Sequence, residues 1–364
     1  MSFKCGIVGL PNVGKSTIFN ALTRGSALAA NYPFATIDPN VGIVAVPDER
    51  LVELTRIVPT KKVVPTTVEI VDIAGIVKGA SQGEGLGNQF LSHIAEVDAI
   101  IEVVRCFESD DIVHVSGTVD PMRDIDVILT ELILKDMEIL SKLKTRYEKA
   151  AKLDKNAAQI VSVLARYEKI FNEGKPARTC LLSPEEKPLL KEAHFLTDKP
   201  ILYAANVGEE EIGKPDSAHV AAVRKQAIAE NAAMIVISGK VEEDISRLEE
   251  AERGEFLSAM NMTESGLDQL AREGHQLLRL ISFFTVGETE NRAWDVQKGA
   301  TAPQAAGKIH SDFEKGFIRA EVVSYGDFIK YRGEQGAREV GRFRLEGKEY
   351  IVQDGDIMHF RFSV

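Results

Sequence analysis

Residues 4–17 read KCGIVGLPNVGKST, and the change of texture within this stretch decides the fold. KCGIVG is a short apolar run of strand type, STIFNALTR continues as a helix, and between them Gly9 to Ser16 matches GxxxxGK[ST]. In that context two glycines let the backbone turn its N–H groups inward around phosphates, and the helix start adds its partial positive end. Lys15 can reach the β and γ phosphates, and the Ser16 hydroxyl can ligate Mg²⁺.

Working outward, CGIVGL, VEIVDIAG and DAIIEVVRCF alternate with the helical stretches STIFNALTR and GNQFLSHIAEV. Continuous Val/Ile-rich runs separated by amphipathic segments indicate parallel strands buried on both faces, hence a doubly wound α/β sheet. PILYAAN (Pro200 to Asn206) and AAMIVIS (Ala232 to Ser238) supply two more buried strands, with a helix around His219 to Glu230 between them. From about Asp124 the texture is helical: Leu129, Ile133, Met137, Leu140, Leu143 and Tyr147 step by three or four, as do Ile160, Leu164, Tyr167 and Phe171. This reads as a helical hairpin, broken near Leu153 to Asn156 and stopped at Gly174-Lys175-Pro176, inserted into the sheet domain. After Ile281, short aromatic and β-branched runs between Gly-Asp and Glu-Gly turns suggest a small α+β unit. The expected domains are 1–123 with 197–280 for the nucleotide-binding sheet, 124–196 for the helical arm, and 281–364 for the terminal unit.

A second phosphate-side element is VEIVD-IAG, with Asp72 at the end of a strand and Gly75 three residues on. Asp72 is placed to hold magnesium through a water, and the Gly75 N–H to touch the γ phosphate. In the loop YPFATIDP, Thr36 either completes the metal shell or is a plain surface threonine. Ile76, where many GTPases carry a water-orienting glutamine, can neither donate nor accept a hydrogen bond, so slow intrinsic hydrolysis is expected. Asn12 suggests a monovalent cation, K⁺, near the phosphates. His114, in SDDIVHVSGTVD, is a candidate for positioning water or simply a loop histidine. Glycines 79, 83, 85 and 87 either let the segment after Gly75 move with the nucleotide or serve a tight loop.

The base is read at Asn206-Val207-Gly208-Glu209, where a guanine-specific loop would carry Asn-Lys-x-Asp. Glu209 adds a methylene to the carboxylate that would take guanine N1–H and the 2-amino group, and Val207 removes the lysine stem that would cover the base. Losing a polar pair costs ~1–3 kcal/mol, enough to erase a preference. Adenine then becomes readable through the Asn206 side chain and nearby backbone, with GTP as the alternative ligand.

A formal charge of −11 argues against wholesale nucleic-acid coating. Between Lys135 and Lys199 there are 14 Lys+Arg against 10 Asp+Glu, so any RNA contact is expected to favour the arm if these charges share a face, the alternative being a solvated helix surface. From Ile281 onward the count is 12 against 13, a near balance. Cys5, Cys106 and Cys180 form no CxxC pair and read as reduced, buried thiols. Without a long uncharged apolar run or a cleavage-site pattern at the start, a soluble cytoplasmic protein with no membrane partner is expected.

GLPNVGKST, YPFATIDPN, DIAGIVKGASQGEGLGNQFL, NVGE and AAGKIHSDFEKGFIRAEVVSYGDF together resemble the YchF/Obg-like ATPase family along essentially the whole chain. The resemblance implies a TGS domain of ubiquitin-like, β-grasp type at the C-terminus. It implies nucleotide binding by Asn12, Val13, Gly14, Lys15, Ser16 and Thr17, magnesium on Ser16 and Thr36, and ATP preference with the NxxE motif at Asn206 and Glu209. A hydrophobic residue at Ile76 is the family habit, and His114 stands at a position suspected of catalysis. The implied function is a slow Mg²⁺-dependent ATPase switch on the ribosome, touching ribosomal RNA or ribosomal proteins, in translation or stress regulation. The alternatives are a GTPase of translation and a nucleotide-gated RNA- or protein-binding module whose turnover is incidental.

Overall fold

The computed structural model describes residues 3–25, 40–73, 86–109, 111–112, 114–190 and 192–363. They form two compact units, Met1–Val44 with Glu69–Leu270 and Ala45–Val68 with Ala271–Val364. Numbered along the chain, the strands are β1 (Lys4–Val8), β2 (Val41–Ala45), β3 (Val63–Val64), β4 (Thr67–Asp72), β5 (Ala99–Arg105), β6 (Ile201–Asn206), β7 (Ala233–Ile237), β8 (Leu280–Thr285), β9 (Asn291–Gln297), β10 (Phe317–Ser324), β11 (Arg344–Glu346) and β12 (Asp356–Phe362).

The first sheet has the order β2-β4-β1-β5-β6-β7. β1 is parallel to both neighbours, with Cys5 opposite Ile70 on β4 and Ala99 on β5. β5, β6 and β7 continue the parallel run. Every residue of β5 and β6 is buried, as expected of strands covered on both faces. The chain runs from β1 to β4 on one side and then to β5 on the other, so the topological switch point lies at the carboxyl end of β1. The loop Gly9 to Ser16 leaves the sheet there.

Helices Pro121–Ala150 and Lys155–Asn172 make the hairpin of this unit. Asp120 caps the first, accepting from Arg123 N at 3.2 Å, and Pro121 occupies the first turn, where its missing N–H costs nothing. Asp154 restarts the second by accepting from Asn156 N at 2.9 Å, and Gly174 ends it at φ +69°. The apolar stripes of both helices meet in one core, where Tyr167, Phe171 and Phe195 pack with centroids 4.8–6.0 Å apart. Asp136, fully buried, pins the hairpin to 196–197 by accepting from Leu196 N at 2.6 Å, Thr197 N at 2.9 Å and the Thr197 hydroxyl at 2.6 Å. Burial pushes its carboxyl up to about 6 against the pull of these bonds.

The second unit has a mixed sheet, β11-β10-β12-β8-β9-β3. β8–β9 and β10–β12 are antiparallel, and β12 is parallel to β8. Helix Ala302–Ile309 covers one face, in a core with Phe283, Val322 and Met358, which is the β-grasp layout. The unit also contains what the sequence reading gave to the first domain. Helix Glu49–Ile57 places Leu51 and Leu54 in a second core with Phe284, Phe328 and Ile357, and β3 extends the sheet beside β9. Adjacent residues of a strand face opposite ways, so a buried Phe283 and a buried Phe284 demand a cover on each side.

Cys5 and Cys106 are buried free thiols pushed up to about 12 by burial, while Cys180 is only half-buried. Among the described residues no helix is long and apolar enough to cross a membrane.

Candidate nucleotide site

A cavity of about 840 Å³ opens along the carboxyl ends of the parallel strands. One end is the loop from Leu10 to Thr17. Asn12 and Gly14 hold positive φ, +63° and +94°, which curls the backbone before helix Lys15–Gly25 begins. The first N–H groups of that helix lack intrahelical acceptors and are free to face an anion. Glycine is required at Gly9 because a Cβ there would lie 2.8 Å from the Val103 carbonyl oxygen on β5. Lys15 pairs with Asp72 from the end of β4, and Ser16 is exposed, so ammonium, carboxylate and hydroxyl gather at the phosphate end.

Two buried polar side chains brace this loop. Asn206, 3% exposed at the end of β6, donates from Nδ2 to the Val13 carbonyl at 2.7 Å and accepts at Oδ1 from Gly239 N at 2.9 Å. A Cβ on Gly14 would stand 2.1 Å from that Nδ2, so the second loop glycine is fixed by contact as well as by its dihedral. Arg105, 1% exposed at the end of β5, donates to three carbonyls: Phe107 at 3.1 Å, Ile112 at 2.9 Å and Asn12 at 3.4 Å. It also stacks over the Phe107 ring at 4.4 Å, and burial lowers its basicity. Arg105 thus shapes the wall that Phe107, Glu108, Ser109 and Ile112 present to the cavity.

Val207 to Glu210 and Ser238-Gly239-Lys240 after β7 also line the cavity, with Gly239 lying against Thr17. Glu209 takes the Lys240 ammonium at 2.7 Å, an exposed rim pair that raises the Lys240 ammonium above its ordinary range.

A 50S ribosome-binding GTPase family matches residues 4–143, and the YchF-GTPase C-terminal family, described as a protein of unknown function, matches 280–363. The chain is 56% identical to the "Ribosome-binding ATPase YchF" of Bacillus subtilis over 100% of both chains, and 52% identical to that of Haemophilus influenzae with the same coverage. A solved structure, the YchF GTPase of Schizosaccharomyces pombe, superposes with TM-score 0.89 at 39% identity, covering 99% of this chain and 98% of that one. The chain belongs to the YchF family.

Within this YchF-family fold, Asn12, Gly14, Lys15, Ser16, Thr17, Asn206, Val207 and Glu209 all line the one cavity. Val13 is buried and contributes its carbonyl, as the anchor of Asn206. Thr36, Gly75 and Ile76 lie outside the described residues, as do glycines 79, 83 and 85. Three readings change. The Asn206 amide was expected at the base, but both its polar atoms hold backbone. The Glu209 carboxylate was expected near the base edge, but it faces Lys240. His114, expected as a candidate for positioning water, is 4% exposed and does not line the cavity. Its Nε2 meets Asp124 Oδ2 at 2.8 Å, and Nδ1 accepts from Ser116 N at 3.1 Å, which assigns the ring proton to Nε2. Arg123 also approaches Nδ1 at 3.4 Å. In this arrangement neither ring nitrogen is left for water, so catalytic use requires segment 114–118 to exchange these contacts.

Arg105, Ser238 and Lys240 went unread in the sequence. AAMIVIS had been read as a strand, and the signal was the Ser-Gly-Lys closing it beside the strand that ends in Asn206.

Proposed function

We propose that this chain is a Mg²⁺-dependent ATPase switch that works on the ribosome in the cytoplasm. The observation that carries the base choice is the Glu209–Lys240 pair: the carboxylate at the guanine-reading position is held by a rim ammonium above an intact phosphate loop. The full-length relatives named ribosome-binding ATPase support the activity and the partner. The words GTPase in the family description and in the fission-yeast structure's title keep GTP as the second ligand to test.

In this reading the loop N–H groups of residues 12–17 and the Lys15 ammonium hold the β and γ phosphates. Asn206 keeps the loop in its curled form before the ligand arrives, so little reorganisation is spent on binding. A hydroxyl from Ser16 and one carboxylate from Asp72 suit a hard cation that keeps water and phosphate oxygens as its other ligands. Magnesium, when bound, neutralises charge developing between the β and γ phosphates. Thr36 is proposed to join its shell, the Gly75 N–H to reach the γ phosphate, and Asn12 to favour K⁺. Ile76 offers no atom to orient water, so the intrinsic rate is low. That same residue favours a second reading, a nucleotide-gated binding module in which turnover is incidental.

Single-turnover ATP hydrolysis with and without ribosomes tests this, using wild type and Lys15→Ala. Ribosome-stimulated turnover that Lys15→Ala abolishes is expected. Absence of stimulation, with nucleotide-dependent ribosome binding intact, gives the answer to the gated module.

A further inference from the structure

We propose that Arg105 positions the triphosphate without touching it: its buried guanidinium, which has no anionic partner among the described residues, takes the phosphates as its counter-charge across the loop at Asn12. The inference rests on the nucleotide-binding reading above and names a positioning residue of that site. Arg105 is 1% exposed, and no other lysine or arginine among the described residues is buried. Its N–H groups go to the carbonyls of Phe107, Ile112 and Asn12 and to no carboxylate. Three carbonyl dipoles and the Phe107 ring, 4.4 Å away, offset part of the cost of burying the charge. Buried charges in folded proteins are ordinarily paired as well, and this one asks for an explanation.

The acid that bears on it is engaged elsewhere. Asp124 acts on Arg105 only from a distance, while its Oδ2 meets His114 at 2.8 Å and its Oδ1 takes Arg123 at 3.1 Å. Desolvation lowers the basicity of Arg105 more than Asp124 restores it, yet a guanidinium stays protonated in a protein. A full positive charge therefore sits behind the phosphate loop.

The sheet fixes its place. β5 runs beside β1, and the loop leaves β1 so close to β5 that a Cβ on Gly9 would stand 2.8 Å from the Val103 carbonyl oxygen. Two residues beyond Val103, Arg105 meets the loop again at Asn12, whose φ of +63° begins the curl. A trans peptide sets its C=O and N–H on opposite sides. With the Asn12 carbonyl held by Arg105 and the Val13 carbonyl by Asn206, the N–H groups of Val13 and Gly14 are turned away from both side chains. The two braces thus aim successive donors of the phosphate loop, but only Arg105 adds a charge. In a water-poor interior that charge is screened little by salt and is felt beyond contact range.

The test titrates ATP, ADP and pyrophosphate, with magnesium, into wild type, Arg105→Gln and Arg105→Lys. Glutamine keeps a donor and loses the charge, whereas lysine keeps both. Arg105→Gln should weaken all three ligands, ATP by roughly tenfold, while Arg105→Lys stays within about threefold of wild type. A purely steric brace would weaken the two variants alike; that result, or full ATP affinity in Arg105→Gln, overturns the assignment. A second measurement needs no variant to fold. In wild type labelled with ¹⁵N-arginine, the slowest-exchanging Nε–H signal, that of the buried guanidinium, should move when magnesium pyrophosphate is added and stay in place with adenosine. A signal indifferent to pyrophosphate also overturns the assignment. Failure of the underlying reading looks different: wild type then binds neither ATP nor pyrophosphate, and the inference falls with it.

Discussion

Asn206→Ala separates a brace from a base reader. The substitution removes one bond to the Val13 carbonyl and one from the Gly239 N–H, and both residues are buried. Two net hydrogen bonds at ~1 kcal/mol each, plus the penalty of leaving buried backbone groups unpaired, give a loss of about 3 kcal/mol. For a unit of this size that corresponds to a fall of roughly 6 °C in Tm. The assay is thermal unfolding without nucleotide, followed by titration with ATP, GTP and pyrophosphate. A brace acts through the phosphate loop, so all three ligands should weaken by a similar factor. If the nucleotide-free Tm is unchanged and only ATP weakens, Asn206 reads the base and the bracing argument is refuted.

Gly14→Ala should cost about 2 kcal/mol of stability from the positive φ and the encounter with Asn206, and weaken every nucleotide. Wild-type affinity in that variant, measured by calorimetry, would mean the loop is not held as described. His114→Ala should destabilise by about 2 kcal/mol, because Asp124 Oδ2 loses its buried partner while Arg123 holds only Oδ1, and should leave single-turnover hydrolysis and ATP affinity near wild type. A clearly slower rate at unchanged ATP affinity would return the ring to the catalytic set.

Glu242 is fully buried, accepts from Gly266 N at 2.7 Å and Leu267 N at 3.3 Å, and is pushed up to about 7, first by desolvation and slightly by Asp268. The folded state therefore binds its proton more tightly than the unfolded chain, and its contribution to stability falls as pH rises from about 4.5 to about 7. The difference is about 3 kcal/mol at ~1.4 kcal/mol per unit. Urea unfolding of wild type and Glu242→Gln across that window should show this component lost in the variant, and parallel pH profiles would contradict it.

The phosphate loop was legible because its requirements are local: glycines at fixed offsets, a strand before and a helix after. The hairpin was legible for the same reason, since Leu129 to Tyr147 and Ile160 to Phe171 write their period into the chain. Segment 45–68 was not, because an amphipathic helix shows that it needs a partner surface and not which one. The choice between covering the first sheet and covering Phe284 is made across more than two hundred residues. The same limit hid the roles of Asn206, Glu209 and His114. Residue type gave each a plausible ligand, whereas Val13, Lys240 and Asp124 had first claim on their polar atoms once the chain folded.

Competitive calorimetric titration of the wild-type protein with ATP and GTP, in magnesium, tests the base choice most directly. ATP is expected to bind about tenfold tighter, one lost polar pair on the guanine side. GTP binding as tightly as ATP, or more tightly, would contradict the account.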